Sequence, residues 1–423
     1  MARLTFILFS VLASTSIAPA QQLDESRTTD WAKAGAKIQQ EDSSLELNIL
    51  DFGADPTGLN SSAEAYASAL QELGGVAGII FFPAGEYFFD AGISIPDSVK
   101  LEGESTQTVL RFDLNGQGNL IHMNGSLHPE AFLLDQPIQK GDMEISLANA
   151  ESINTGDVIR LGCNDEELMY SSWAYGTLGQ VVEVIGKSGN TIILEDPITR
   201  SYNIEDLPSV KRLDPLRMAG LSCLKIERID ATASQTSNIY VRNAIDCTIE
   251  NVESVNCNFA HVSVNSSTHV SVTGGYFHHA HAYGGGGQGY GVVFQETSSF
   301  NLAENNIFEH LRHSMLLQSG ATGNVCGYNY SFDPYWVSGM LPGNSAGDAV
   351  LHGNYPHHNL FEGNVVQNMV VDASHGNNGP FNTFFRNRGE LYGFFSDATT
   401  PTDSMNIIGN EISNSGFPLG LFM

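Results

Sequence analysis

Positive charge is scarce in this chain. Its 423 residues carry 19 Lys and Arg against 47 Asp and Glu, a net charge of -28. Such a surface repels nucleic acid and anionic membranes, so neither is expected as a partner. Lysine stops at Lys225, and beyond Arg242 the only arginines are Arg312, Arg386 and Arg388. A reaction run on the C-terminal half must do without a lysine base. Cysteine is also rare. Cys163, Cys223, Cys247, Cys257 and Cys326 are odd in number and fit neither a disulfide framework nor a zinc motif. Most are expected to be small core residues, with Cys247–Cys257 or Cys247–Cys326 as the bridge to look for. No internal run reaches the roughly 18 apolar residues of a membrane span.

The first twenty residues read as an export leader. Arg3 is followed by the apolar run Leu4 to Leu12 and by the small residues Ala18-Pro19-Ala20. Cleavage near Ala20 would release an exported, soluble protein. Residues 21–46 are polar and irregular and read as a linker.

What the chain has in plenty is glycine, 43 residues, with only 16% charged residues. This composition suits a turn-rich β protein. Folding is expected to start at Leu47 with a strand and a turn at Asp55-Pro56-Thr57-Gly58. A helix then begins at a Ser61 or Ser62 cap, has Tyr66, Ala69, Leu70 and Leu73 on one face, and is stopped by Gly74-Gly75. Short strand-like runs follow: IIFFPAGEYFF, ISIP and VKLEGES.

The sequence DFGADPTG, a short helix, GG..I.FPAGEY.F and V.L.GES over Leu47 to Phe112 resembles the N-terminal part of pectate-lyase-like (pectin-lyase superfamily) proteins. That resemblance implies an all-β right-handed parallel β-helix, a solenoid whose open end is plugged by the helix. It says little about function, because enzymes, phage tailspikes and adhesins share the coil. No cofactor is assigned, with Ca²⁺ as the one to look for if the substrate is anionic; a polysaccharide is the expected partner, and by analogy with tailspikes a homotrimer is the assembly to look for. Residues 133–200 read as a β-rich insertion, with Asn164 to Tyr175 as a polar and aromatic loop able to fold over a carbohydrate.

From residue 238 a repeat emerges. Asn251, Gly275, Asn306, Asn329, Asn364, Asn387 and Asn410 each precede a short strand, and the basic rung is 23 residues. Stacked asparagines at one corner would share amide hydrogen bonds as a ladder. Two rungs are longer. One carries residues 282–291, AYGGGGQGYG, and the other the stretch from Tyr335 to His352; such insertions become loops on one face, often the binding face. The glycine run also matches Gly284-x-Gly286-x-x-Gly289, but no βαβ unit surrounds it, so a dinucleotide site is rejected.

Only His122 and His128 of the thirteen histidines precede His261, and five fall between His278 and His313. Equal offsets in a parallel stack lie above one another. This predicts a patch of His279, His281, His310, Arg312, His313 and Asp333 beside Tyr283 and Tyr290, with Tyr335 and Trp336 in the second loop. The spacing suits no standard zinc site, so no metal ligand is assigned. Asp372, His375, Arg386 and Arg388 form a second candidate.

Two chemistries fit these residue types. Elimination from a uronic acid needs a base, an acid and a group that neutralises the carboxylate; His, Tyr and Arg can fill those roles. The preferred reading is therefore a polysaccharide lyase, with the base among His279, His281, His310 and His313, the acid Tyr283 or Tyr290, and Arg312 on the carboxylate. The strong negative charge opposes a polyanionic substrate unless the groove is locally basic or binds Ca²⁺. A glycoside hydrolase would need two carboxylates about 5–10 Å apart. Asp333, Asp348, Asp372 and Glu309 are available, although closely spaced paired aspartates are absent. A glycan-binding adhesin or tailspike-like coil is the third reading.

Overall fold

The computed structural model describes residues 23–37, 45–339, 341–396, 404–416 and 420–422. The leader at 1–20 lies outside them. The chain winds into a parallel β-helix of three ladders. The first is an eleven-stranded sheet running from Leu45–Asn48 through Gly78–Phe82, Val99–Gly103 and Gly220–Ser222 to Asn406–Ile408. A nineteen-stranded sheet supplies the other two. The second ladder includes Gly85–Phe89, Glu253–Cys257, Tyr276–Ala280, Ile307–Glu309 and Tyr330–Phe332. The third includes Ile121–Asn124, Ile239–Arg242, Ala260–Asn265, Tyr290–Gln295, His313–Leu317 and Ala349–Leu351.

Inward side chains fill the coil with aromatic stacks. Phe89 lies on Phe112 at 5.0 Å, Phe277 on Phe308 at 5.6 Å and Phe361 on Phe384 at 4.8 Å between ring centres. The N-terminal end is closed by the helix Ala63–Leu73, which buries Tyr66, Ala69 and Leu73. Leu70 is half-buried and packs at the edge of the same core. Ser62 is the N-cap residue, but its side chain makes no capping bond. Gly74 ends the helix in the left-handed region, at φ 61°.

The asparagine ladder is present, one residue out of register at its start. Val252, not Asn251, aligns with Gly275 (Glu253 faces Tyr276), and Gly275 N–H donates to Asn306 Oδ1. From there Asn306, Asn329, Asn364, Asn387 and Asn410 are linked, each donating backbone and side-chain N–H to the next amide oxygen at 2.9–3.0 Å. A second ladder runs through Asn301, Asn324, Asn359 and Asn382. Each amide satisfies buried backbone groups that the corner of the coil leaves unpaired.

Three expectations change. Residues 23–37 are not a free linker. They lie along the coil, with Arg27 on Asn406, Trp31 Nε1 on the His358 carbonyl, Gly35 N–H on the Phe300 carbonyl and Ala36 N–H on Ser271 Oγ. The insertion is a six-stranded antiparallel sheet from Ser126–Leu133 to Ser209–Asp214, wider than 133–200. It leaves between rungs without breaking the stack, because Ile121 still pairs with Ile239. Finally, all five cysteines are free. Cys257 is on the second ladder, and Cys326 stacks three rungs beyond Ile249 on the first, roughly 14 Å away at the spacing of parallel strands. A disulfide needs Cα atoms within about 7 Å.

Candidate functional site

The outer face of the third ladder carries a groove. The register stacks Arg242, Asn265, Gln295 and Gln318 in one column, which His352 and Asp372 continue. The inserted loops raise one wall with Gly286, Gly287 and Trp336; the β-rich insertion raises the other with Trp173. The space between is about 610 Å³. The insertion loop is seated by Asn354, whose side-chain oxygen accepts N–H bonds from Tyr170 and Ser171 at 3.0 Å. Gly376 permits that approach: a Cβ there would come within 2.4 Å of the Tyr170 side chain.

Arg312 stands at the centre. It is 7% exposed, spans the rings of Trp336 at 4.5 Å and Tyr290 at 5.6 Å, and donates to the Gly284 carbonyl at 2.6 Å. Its Nε is buried and has no protein partner. One rung on, His352 Nδ1 lies 2.7 Å from Asp372 Oδ2. Burial alone would raise the Asp372 carboxyl, but His352, the Ser374 N–H and His313 outweigh it and hold it below the usual carboxylate range. His313 Nδ1 faces the Gly347 carbonyl at 3.1 Å. Burial first, then Arg312 and His352, keep the His313 ring neutral by driving its pKa well down. His375 is likewise lowered, chiefly by burial and then by His352, and it contacts Ser171 Oγ at 3.2 Å and the edge of Trp173. Burial pushes the Tyr290 phenol up to about 12.

The structure therefore splits the sequence-predicted patch. Arg312, His313, Tyr290 and Trp336 face the groove with Asp372 and His375. His279, His310 and Asp333 do stack in one column, with His279 and His310 rings 5.4 Å apart and His310 Nδ1 2.7 Å from Asp333. All three occupy the left-handed corner between second and third ladders, at φ 59°, 49° and 54°. The corner turns them away, and none of the three is among the described residues lining the groove. His281 is spent on the Arg228 carbonyl at 3.1 Å. Arg386 and Arg388 sit on another corner, paired with Glu362 and Glu390. The carboxylates do not pair up either. Asp333 is exposed outside, Asp348 is sealed inside the coil, and Glu309 bonds Tyr276 on the second ladder.

His310 has a different task. It stacks on Tyr335 at 5.3 Å and meets the edge of Tyr283 at 4.8 Å, so it clamps the roots of both inserted loops. His310→Ala should raise protease nicking of residues 336–346 about two- to tenfold, the population equivalent of one aromatic pair worth about 0.5–1.5 kcal/mol. His310→Phe should restore resistance; unchanged nicking in the alanine variant would dismiss the clamp.

His352, Gln295 and Gln318 were not foreseen, whereas Trp173 belongs to the Asn164 to Tyr175 loop expected to fold over a carbohydrate. The 23-residue register already placed Gln295 and Gln318 in one column. His352 was hidden by the insertion in its rung. The described residues gather one group of three possible metal ligands, Glu195, Asp196 and His269, and it lies outside the groove. Lys33 Nζ already sits 3.2 Å from Asp196 there.

The comparisons agree with this architecture. The family profile for rhamnogalacturonase A/epimerase, pectate-lyase-like proteins matches residues 47–144. No curated protein matches the chain by sequence. Among solved structures it is similar to the tailspike protein gp49 of Pseudomonas phage LKA1, with a TM-score of 0.66, 15% identity, and coverage of 86% of this chain and 64% of that one. It is also similar to the A-module of a mannuronan C-5 epimerase from Azotobacter vinelandii, with a TM-score of 0.48, 12% identity, and coverage of 88% and 87%. A third likeness is to an exopolygalacturonase from Thermotoga maritima, with a TM-score of 0.46, 11% identity, and coverage of 89% and 78%. The chain thus spans under two thirds of the tailspike's length. At these identities the likeness is one of fold. The protein has the fold of a pectate-lyase-like parallel β-helix.

Proposed function

We propose that the protein is an exported enzyme that cleaves a uronic-acid-containing polysaccharide by β-elimination. The observation that carries this reading is the meeting of Arg312 with the His352–Asp372 pair in one groove. The Arg312 guanidinium takes the uronate carboxylate and the charge that spreads onto it as the C5 proton leaves. Asp372 accepts the His352 Nδ1–H, which leaves the Nε2 lone pair to take that proton. The freed electron pair forms the C4–C5 double bond, and the C4–O bond breaks. Tyr290, kept a neutral phenol, protonates the leaving oxygen. A hydrolase is disfavoured by distance: the lining carboxylates Glu296 and Asp372 stand three rungs apart, roughly 14 Å, beyond the about 5–10 Å that hydrolysis uses.

The test follows ultraviolet absorbance of unsaturated uronate ends and reducing sugar in parallel, on a panel of acidic polysaccharides. Both signals should rise together. Reducing ends without absorbance would reject elimination for hydrolysis. Binding with neither signal would make the coil an adhesin or a tailspike-like binder.

A further inference from the structure

The two sides of Arg312 differ. Toward the N-terminal end, three amides form a chain: Gln318 Nε2 donates to Gln295 Oε1 at 2.5 Å, and Gln295 Nε2 to Asn265 Oδ1 at 2.9 Å. Gln318 is 6% exposed, and its own Oε1 is a buried acceptor without a protein partner. Gln318 and Gln295 each keep one Nε2–H for a ligand, whereas the Asn265 amide is spent on Ser263 Oγ and the Val241 carbonyl. They offer hydroxyl-sized hydrogen bonds and no charge. The next cation in the column, Arg242, is three rungs from Gln318 and is taken by Glu296 at 3.1 Å and the Tyr240 hydroxyl at 3.0 Å. Arg312 is the sole Lys or Arg among the described lining residues, against the carboxylates Glu296 and Asp372.

Toward the C-terminal end the groove turns apolar. Beside Arg312 and His352 opens a pocket of about 40 Å³ lined by Leu341, Ala346, Val370 and Phe395. Gly347 keeps it open, since a Cβ there would come within 2.7 Å of Val370. The space exceeds the about 10–15 Å³ of a single water, and Ser345 and Ser374 line it with those four apolar side chains.

We propose that the substrate is a heteroglycan with one isolated uronate per repeat. This rests on the elimination reading above. The uronate carboxylate lies on Arg312, a neutral sugar lies on the Gln318 and Gln295 amides, and a methyl group of the following sugar fills the apolar pocket. Rungs spaced about 4.8 Å apart suit a glycan lying along the coil axis, close to one pyranose per rung. A second uronate beside the first would meet no cation and would face Glu296 or Asp372. The methyl group comes from a 6-deoxy sugar or from an acetyl ester or amide.

The intact protein, with His352→Ala to stop turnover, is screened on an array of sized oligosaccharides in EDTA. The array holds oligogalacturonate and oligomannuronate as homopolymers. Hyaluronan and gellan fragments serve as alternating glycans with N-acetyl and 6-deoxy methyls, beside their unmethylated counterparts and neutral glycans. Alternating acidic glycans should be held at least tenfold tighter than homo-oligouronates, and methyl-bearing ones about tenfold tighter than unmethylated ones. Preference for the acetyl or the deoxy set names the methyl. In Ala346→Leu, with a wild-type-like melt, the methyl preference should vanish. Homo-oligouronates held equally well would overturn the heteroglycan while leaving elimination standing. Neutral glycans preferred, or nothing held, would overturn the elimination reading and this proposal with it.

Discussion

Replacing Arg312 by alanine is expected to lower turnover of a uronate glycan by about a hundred- to a thousandfold, the loss that follows removal of one preorganised group from a developing anion. The guanidinium is preorganised in a specific sense. Its plane is held by Trp336 and Tyr290, and Nη1 is committed to Gly284, so the remaining N–H groups are left to meet the ligand. It is largely desolvated in the folded protein, which leaves little reorganisation when the carboxylate arrives. Because the same guanidinium also braces the glycine loop, a fold control is needed. Arg312→Lys keeps the charge and loses the planar stack, and should recover only part of the rate. The decisive measurement is a binding cycle. The alanine variant should lose affinity for the native glycan, yet bind the carboxyl-reduced glycan as the wild type does. Turnover within threefold of wild type would remove Arg312 from the chemistry.

The second large effect concerns stability. Asp348 is fully buried inside the coil, where Ser331 Oγ bonds one carboxyl oxygen at 2.5 Å and the Gln367 and Asn368 N–H groups bond the other at 3.0 and 2.7 Å. Burial raises its pKa from 3.8 to about 7, and the three hydrogen bonds do not undo that. The folded state therefore holds a proton that the unfolded chain has released. The contribution is complete below about pH 4 and is lost as the pH rises through about 7, a window worth roughly 4 kcal/mol. Asp348→Asn keeps the shape and cannot ionise. Denaturant titrations from pH 4 to 8 should find the wild-type midpoint falling relative to the variant's. Parallel profiles would show that Asp348 does not titrate in that window. The groove is downstream of this residue, since His313 leans on the carbonyl of Gly347, its immediate neighbour.

Much of the coil was legible in the residues because its signals are local or periodic. DFGADPTG, the helix face with Tyr66 and Leu73, and the returning asparagines each report a constraint satisfied within one rung. The miscount at Asn251 has the same origin. An asparagine is welcome at either of two adjacent corner positions, and only the pairing of Glu253 with Tyr276 decides between them. The groove residues were harder. His279 and His310 looked alike in sequence, and they do stack, but a stack is no guarantee of a shared opening. His352 could not be placed at all, since the loop from Tyr335 interrupts the count just before it.

By itself, then, the sequence determined a 23-residue rung, a capped N-terminal end, two inserted loops and an acidic, lysine-poor C-terminal half. These follow from composition and spacing. The facing of each side chain was decided only by the tertiary structure. At His310 the backbone enters the left-handed region, and two residues later Arg312 lies on the groove side of the corner. Asp348, inward on the third ladder, and Asp372, outward in the groove, are both aspartates in strand-like surroundings. What separates them is the direction in which a corner sends the chain, and that direction is set by backbone angles and stacked neighbours rather than by residue type.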